Sequence, residues 1–121
     1  MEAIDMLKIA ANALNEKKAK DIVGIKISDL TVLGEYFLIC SASSSTQLRA
    51  LCDEVEDKLE EAGIRPHHIE GKATGWIALD YGSLIVHVFT RNEREFYGLE
   101  RMWSDGKVLN METILDKPQG E

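Results

Sequence analysis

Long apolar runs are missing from this sequence. No segment is long enough for a membrane-spanning helix or a signal peptide, and the N-terminal stretch carries acids at Glu2 and Asp5. Cysteine is also scarce, because only Cys40 and Cys52 occur and their spacing fits neither a metal site nor a redox pair. We therefore expect a cytoplasmic protein without membrane contact, whose two cysteines are buried free thiols.

Basic residues are too few for a typical nucleic-acid-binding protein. The chain has 14 Lys and Arg against 21 Asp and Glu, a formal charge of −7. Phosphate contacts require clustered Lys and Arg, so we expect no direct sequence-specific binding of nucleic acid, and the acidity permits a basic protein partner. With 121 residues, 45% of them hydrophobic, the chain can form one domain with a real core.

Motifs for catalysis and phosphate binding are missing as well. No Ser or Cys lies in the context of a nucleophile elbow or a papain-like site. Gly71, Gly75 and Gly82 precede no helix, so they fit neither the dinucleotide-binding pattern nor the P-loop. Asp80 has Ala78 and a glycine at the neighbouring same-face positions, so no paired-carboxylate metal site forms there. We expect no catalytic residue, no metal and no cofactor.

The three histidines do not change this conclusion. His67 and His68 are adjacent, so on a strand they point to opposite faces and cannot chelate one ion without a sharp turn. His87 lies between two valines, and we interpret it as a partly buried imidazole with one hydrogen-bond partner.

The stretch 70–89, which reads EGKATGWIALDYGSLIVHVF, predicts two strands joined by a tight turn. A period of two places Trp76 and Asp80 on one face of the first strand, and Ile77 and Leu79 on the other. The aliphatic pair should therefore lie in the core. Trp76 shares its face with a charge, as a large aromatic residue does in a binding surface rather than in a core.

Helical and strand patterns alternate along the chain, which predicts a single α/β domain with a mixed sheet and helices packed on it. Residues 36–40 are apolar on both faces and suit a central strand, whereas the proline in 64–70 suits an edge strand. A helix should begin at a Ser44–Gln47 capping box and end near Gly63. Its acidic outer face fits a solvated surface, with a docking surface as the alternative. The other predicted elements are a helix at 2–18 and strands at 21–27 and 84–90.

The C-terminal part of the chain has weaker patterns. Residues 96–103 predict a turn of helix with Leu99, Met102 and Trp103 facing inward. Tyr97 is assigned mainly to packing for the same reason, as is Trp103. Residues 104–121 predict a loosely ordered tail. The side chains that dock it on the body would be Val108, Leu109, Met111, Ile114 and Leu115.

An ordered set of short motifs between about residues 3 and 105 goes further than these patterns. The motifs are Asp21-Ile22-Val23, Tyr36-Phe37-Leu38-Ile39, Ser43-Ser44-Ser45-Thr46-Gln47, Glu70-Gly71, Gly75-Trp76-Ile77, Leu79-Asp80-Tyr81-Gly82, Val86-His87-Val88-Phe89 and the run from Arg94 to Trp103. In this order and spacing they resemble the ribosomal silencing factor family, also called RsfS or Iojap. The chain departs from the family pattern at Gly34-Glu35 and at Met102, where the family usually has Thr-Asp and Leu.

The resemblance implies a binding protein and not an enzyme. Family members dock on the large ribosomal subunit through its protein L-fourteen, block joining of the small subunit when nutrients are short, and are commonly homodimers when free. The implied fold is a mixed five-stranded sheet with flanking helices, related to nucleotidyltransferases but without their catalytic acids. We expect this domain to span residues 1–105 and a C-terminal tail to span 106–121.

The hairpin pattern and the resemblance together indicate a partner-binding site at Glu70, Gly71, Trp76, Asp80 and Tyr81. Trp76 would be the anchor, and Tyr81 would add contact area with a polar tip. Glu70 and Asp80 would offer acids to a basic ribosomal protein.

Two alternatives belong to other functional classes. One is a degenerate nucleotidyltransferase-like protein that binds a nucleotide with Asp80 and His87. The other is a purely structural oligomerisation module.

Overall fold

The computed structural model describes residues 1–71 and 74–120, which form a mixed β-sheet with helices on both faces. Glu121, the last residue of the predicted tail, lies outside the described residues. The elements in chain order are α1 (Ala3–Glu16), β1 (Lys20–Lys26), β2 (Tyr36–Ala42), α2 (Ser45–Glu61), β3 (His68–Glu70), β4 (Trp76–Asp80), β5 (Leu84–Thr90), α3 (Arg91–Tyr97), α4 (Leu99–Met102), β6 (Lys107–Val108) and α5 (Met111–Ile114).

The strands lie in the order β3-β4-β5-β2-β1-β6. The central strands β2 and β5 are parallel, and the other neighbouring pairs are antiparallel. The mixed sheet, the central position of β2 and the edge position of β3 confirm the predictions. The predicted number of five strands is one too low. The additional strand β6 has two residues, too few for an alternation pattern to reveal it in the sequence. The relation to nucleotidyltransferases stays a prediction.

One face of the sheet is covered by α1 and α2 and holds the main core. Leu7 and Leu14 of α1 and Leu51 and Leu59 of α2 are fully buried there. Cys40 and Cys52 are buried free thiols, as expected, and burial raises the pKa of Cys40. Within the described ranges, no helix is long and apolar enough to cross a membrane.

Helix α2 begins and ends where the sequence predicts. The Ser44 hydroxyl accepts a hydrogen bond from the backbone N–H of Gln47 at 3.1 Å. The Gln47 side chain accepts in return from the backbone N–H of Ser43, one residue earlier than in a standard capping box. The helix ends at Glu61, and Gly63 follows with a φ of +83°, which favours glycine. Local capping therefore sets both ends of the helix.

The alternation predicted for β4 is confirmed. Ile77 and Leu79 face the helices α1 and α2 and are buried, whereas Trp76, Ala78 and Asp80 are only partly buried. The hairpin turn contains Gly82 at a φ of +84°.

The other face of the sheet is partly covered by α3 and α4. Leu99 packs there against a second hydrophobic cluster that includes Phe37 and Phe89. The inward position predicted for Leu99 is confirmed, but that of Met102 is wrong, because its side chain is 73% exposed. Residues 91–95, read only as a charged segment, form most of α3.

The prediction of a loosely ordered tail is wrong for residues 106–120, which pack on the domain. β6 pairs with Ile25 and Lys26 of β1, and Ile114 of α5 is buried in the main core. Asn15 of α1 donates a hydrogen bond to the carbonyl of Lys117 at 2.7 Å. Leu109, Met111 and Leu115 pack on the core as expected, whereas Val108 is exposed. The domain boundary after residue 105 stays a prediction.

Candidate partner-binding surface

The strands β3, β4 and the first half of β5 present a surface that neither pair of helices covers. Across these strands Glu70 is opposite Ala78, and Asp80 is opposite both His68 and Ile85. Opposite residues share a face of the sheet, so these side chains lie on the same face as Trp76. The residues of this surface, which we call the open sheet face, are His68, Glu70, Trp76, Ala78, Asp80 and Ile85. All six are exposed or partly exposed.

Trp76 lies at the end of the open sheet face that is next to α3. Its indole Nε1–H donates a hydrogen bond to His87 Nδ1 at 3.1 Å. Its ring stacks on Phe89 with centroids 5.0 Å apart and contacts Tyr97 at 4.6 Å. Trp76 is thus held by His87 and Phe89 on the neighbouring strand and by Tyr97 on α3, and its side chain is partly exposed.

Helix α3 adds two aromatic side chains beside Trp76. Phe96 is 79% exposed and Tyr97 is 44% exposed, and their rings meet edge-on at 5.1 Å. The packing role assigned to Tyr97 accounts for its contact with Trp76 but not for its exposure. Trp103 fits its packing role, because it is partly buried and meets the Phe37 ring edge-on at 5.2 Å.

Sequence reasoning missed Phe96 as a surface residue. The signal was available, because adjacent residues on a helix do not share a face, so Phe96 and Tyr97 cannot both pack inward. Exposed aromatic groups of this kind are typical of binding surfaces.

The two acids of the open sheet face are held differently. Asp80 Oδ1 accepts a hydrogen bond from the backbone N–H of Gly82 at 2.8 Å, so its carboxylate is fixed at the hairpin turn. Glu70 Oε1 is in hydrogen-bond contact with Nε2 of His68 on β3, and both side chains are well exposed. The structure therefore brings Glu70, Asp80 and Trp76 onto one surface, as the predicted site requires.

Gly71 contributes through the backbone. Its φ is +84°, and a Cβ atom built there would overlap the carbonyl oxygen of Trp76. No side chain fits in that space, so glycine at this position lets the backbone of residue 71 lie close to the start of β4. Its place in the candidate site is next to Trp76, not in a contact of its own.

Tyr81 is the one predicted site residue that the structure removes from the surface. Its side chain is 4% exposed and lies in the main core, on the face of Ile77 and Leu79. Burial, with the nearby Glu56 carboxylate, raises the pKa of its hydroxyl. The prediction that Tyr81 adds contact area to the binding surface is therefore wrong. The alternation in β4 correctly placed Tyr81 on the face of the aliphatic residues Ile77 and Leu79.

His87 is buried, and its interpretation as an imidazole with one hydrogen-bond partner is confirmed. Burial lowers the pKa of His87 to about 4, although the Asp80 carboxylate raises it in part, so the ring is neutral near pH 7. Among residues 1–71 and 74–120, no group of three His, Cys, Asp or Glu side chains is arranged to hold a metal ion.

The chain has clear relatives among known proteins. The family described as "Ribosomal silencing factor during starvation" matches residues 1–121. The chain is 35% identical over 113 residues to ribosomal silencing factor RsfS of Bacillus subtilis, and the matched region covers 93% of this chain and 96% of the relative. The RsfS protein of Halalkalibacterium halodurans is 32% identical over 112 residues, with coverage of 92% and 96%. A crystal structure of a protein from Chromobacterium violaceum is similar with a TM-score of 0.83 at 32% identity, covering 98% of this chain and 92% of that one. This chain therefore belongs to the ribosomal silencing factor family.

Proposed function

We propose that this protein binds the large ribosomal subunit through the ribosomal protein L-fourteen and sterically blocks joining of the small subunit. It would thereby repress translation in the cytoplasm when nutrients are limited. Membership of the ribosomal silencing factor family supports this role. Steric exclusion needs affinity at the right place and no catalysis, so the proposed protein is not an enzyme and needs no cofactor.

The observation that carries the proposal is the open sheet face, where Trp76 lies among acids. A partly buried aromatic side chain with an accessible ring is the typical centre of an interface hot spot. Glu70 and Asp80 lie on the same surface and can pair with Lys or Arg of a basic ribosomal protein. The acidic formal charge of −7 favours encounter with such a partner.

The proposed contact surface differs from the predicted one at two places. Phe96 and Tyr97 are added, because both are exposed and are joined to Trp76 through ring contacts. Tyr81 is removed because it is buried. Gly71 is kept because its lack of a side chain lets its own backbone lie against the Trp76 carbonyl.

No observation on the described residues favours the nucleotide-binding alternative. Asp80 accepts a hydrogen bond from the backbone of the hairpin turn, and His87 is buried next to Trp76. A thermal-shift screen with nucleotides and divalent ions tests this alternative directly, since a ligand that binds only the folded state raises its apparent stability. A clear rise with a nucleotide would reopen it.

The proposed function is tested with purified ribosomal subunits. The protein should sediment with isolated large subunits, and light scattering should show that subunit joining is inhibited as its concentration rises. A double variant, Glu70→Gln with Asp80→Asn, should weaken both effects. The introduced amide oxygen keeps an acceptor for the Gly82 N–H, so the variant loses two charges and leaves the hairpin turn intact.

Asp57→Asn combined with Glu112→Gln is the matched control for these charges. Both acids are exposed and lie away from the open sheet face, on α2 and α5. This control should bind as the unmodified protein does. Subunit joining that proceeds unchanged at saturating protein would overturn the proposed function.

We also propose that the free protein is a homodimer. Several large apolar side chains are exposed in the single chain, which supports self-association when the ribosome is absent. They are Leu30, Val32, Leu33, Phe96, Met102 and Val108. Sedimentation velocity of the free protein distinguishes monomer from dimer.

A further inference from the structure

His87 occupies a buried position where an apolar side chain would pack at a lower cost in free energy. Its ring is 6% exposed and lies among Trp76, Phe37 and Phe89, with centroid distances of 5.8, 4.7 and 6.2 Å. Its Nε2 atom is buried and has no hydrogen-bond partner among the described residues. A buried polar atom without a partner costs about 1–3 kcal/mol, a cost that Leu or Phe would not incur.

The bond to Trp76 is what an apolar residue could not provide. His87 Nδ1 must carry a lone pair to accept the indole N–H, so the ring proton lies on Nε2. The two residues lie on neighbouring antiparallel strands, diagonally across the pairing, since Trp76 is opposite Phe89 and His87 is opposite Ala78. His87 therefore lies on the same face of the sheet as Trp76, and the diagonal geometry brings its imidazole within reach of the indole.

We propose that His87 is a positioning residue, which holds the Trp76 indole so that its N–H points into the protein and only ring carbons face a partner. An indole has a single hydrogen-bond donor, and here that donor is already used. A partner therefore contacts Trp76 through apolar groups or a stacked guanidinium, without a hydrogen bond to the indole. This inference rests on the proposed role of Trp76 as the interface anchor.

The first test uses the free protein and does not depend on the ribosome. The two tryptophans give two indole N–H signals in a ¹H–¹⁵N spectrum, and Trp76→Phe identifies the one from Trp76. In His87→Leu this signal should move, and its exchange with solvent should become roughly two- to tenfold faster, the fold-change of one net hydrogen bond. His87→Asn, whose Oδ1 takes the place of Nδ1, should restore the protected signal.

The second test measures binding to large subunits in a double-mutant cycle. His87→Leu should weaken binding roughly two- to tenfold when Trp76 is present. Because Leu also removes a buried polar atom that has no partner, urea unfolding should show no matching loss of stability. In the Trp76→Phe background no N–H exists to be held, so His87→Leu should have no further effect on binding. His87→Asn should recover most of the lost affinity.

Two results would overturn the inference. An unchanged Trp76 indole signal in His87→Leu would mean that no such hydrogen bond holds the ring. If His87→Leu weakens binding equally in the unmodified protein and in Trp76→Phe, which lacks the indole N–H, then His87 acts through packing alone. If the unmodified protein does not bind large subunits, the proposed function fails, while the indole signal still decides whether His87 positions Trp76.

Discussion

Trp76 is held from within by His87 and Phe89 while part of its ring stays accessible. This arrangement fixes an aromatic surface before any partner arrives. A side chain that is already ordered loses little conformational entropy on binding, which favours affinity. The neighbouring Tyr97 ring contributes to the same preorganisation from α3.

Truncation of Trp76 should therefore reduce binding more than folding. We expect Trp76→Ala to lower affinity for the large subunit roughly thirtyfold or more, the effect of losing about 2 kcal/mol at a central hot spot. Because Trp76 is only partly buried, the free energy of unfolding should fall by less than the ~3–5 kcal/mol that a fully buried tryptophan contributes. Sedimentation binding and urea unfolding measure the two quantities.

Leu59→Ala is the control for this variant. Leu59 is fully buried in α2 on the other side of the sheet, so its loss should destabilise the fold without weakening binding by the folded protein. If Trp76→Ala binds the large subunit as the unmodified protein does, Trp76 is not part of the interface.

The pKa of His87 makes a further prediction at the residue scale. Burial lowers this pKa from its usual 6.5 to about 4, so below pH 6.5 the unfolded chain takes up a proton that the folded protein does not. The free energy of unfolding should therefore keep its full value above pH 6.5. It should fall progressively as the pH drops toward about 4, by about 3 kcal/mol in total.

Urea unfolding between about pH 7 and pH 5 measures this slope. His87→Leu shares every other titrating group and should lack this part of the pH dependence. Identical slopes for the two proteins would contradict the lowered pKa.

At the scale of elements, the close approach of Gly71, which follows β3, to the start of β4 depends on glycine at this position. A Cβ there would overlap the Trp76 carbonyl oxygen. Gly71→Ala should therefore destabilise the protein by more than the ~1 kcal/mol expected from the positive φ alone and should move the Trp76 indole signal. Gly63→Ala is a matched control, because its φ of +83° is nearly the same and nothing lies within 4 Å of its added Cβ. Equal losses of stability in the two variants would exclude the close contact.

Helices α3 and α4 are tied to the sheet by Arg94. Its side chain is 12% exposed, and it donates hydrogen bonds to the Asp21 carbonyl and the Ser41 hydroxyl at 2.8 Å and to Glu100 at 2.7 Å. This network joins the bulge in β1 and the end of β2 to both helices, and so holds Tyr97 beside Trp76.

We expect Arg94→Met to lower the free energy of unfolding by about 2–4 kcal/mol, since it leaves three acceptors without their donor, two of them in partly buried hydrogen bonds. It should also weaken ribosome binding, because α3 loses its fixed position. Arg94→Lys should recover only part of the loss, because an ammonium lacks the planar fork of donors. Unfolding and binding measured on both variants test the network, and unchanged behaviour of Arg94→Met would contradict it.

At the scale of the whole molecule, the acidic charge should govern encounter rather than final affinity. With a formal charge of −7, association with a basic ribosomal surface should slow as salt rises, because exposed charges are screened beyond about 8 Å at physiological ionic strength. Stopped-flow association rates at several salt concentrations measure this. An on-rate independent of salt would remove the electrostatic part of the proposal and leave the Trp76 anchor in place.

Local pattern determined much of the fold and part of the site. The alternation in β4 placed Ile77 and Leu79 in the core and Trp76 on the opposite face, because side chains on a strand point alternately to its two sides. The ends of α2 followed from Ser44 and Gly63, whose effects act within one turn of helix. These outcomes depend on residues close together in the chain, so the sequence alone predicted them.

Contacts between distant parts of the chain were decided only by the tertiary structure. The Trp76–His87 hydrogen bond depends on the register of two strands, and the position of Phe96 and Tyr97 depends on how α3 docks on the sheet. The pairing of β6 with β1 joins residues near opposite ends of the chain. Periodicity reports which face a side chain takes, but it carries no information on which elements meet. The sequence by itself therefore determined the family, the two long helices α1 and α2 and the face on which Trp76 lies, whereas long-range packing decided what surrounds Trp76.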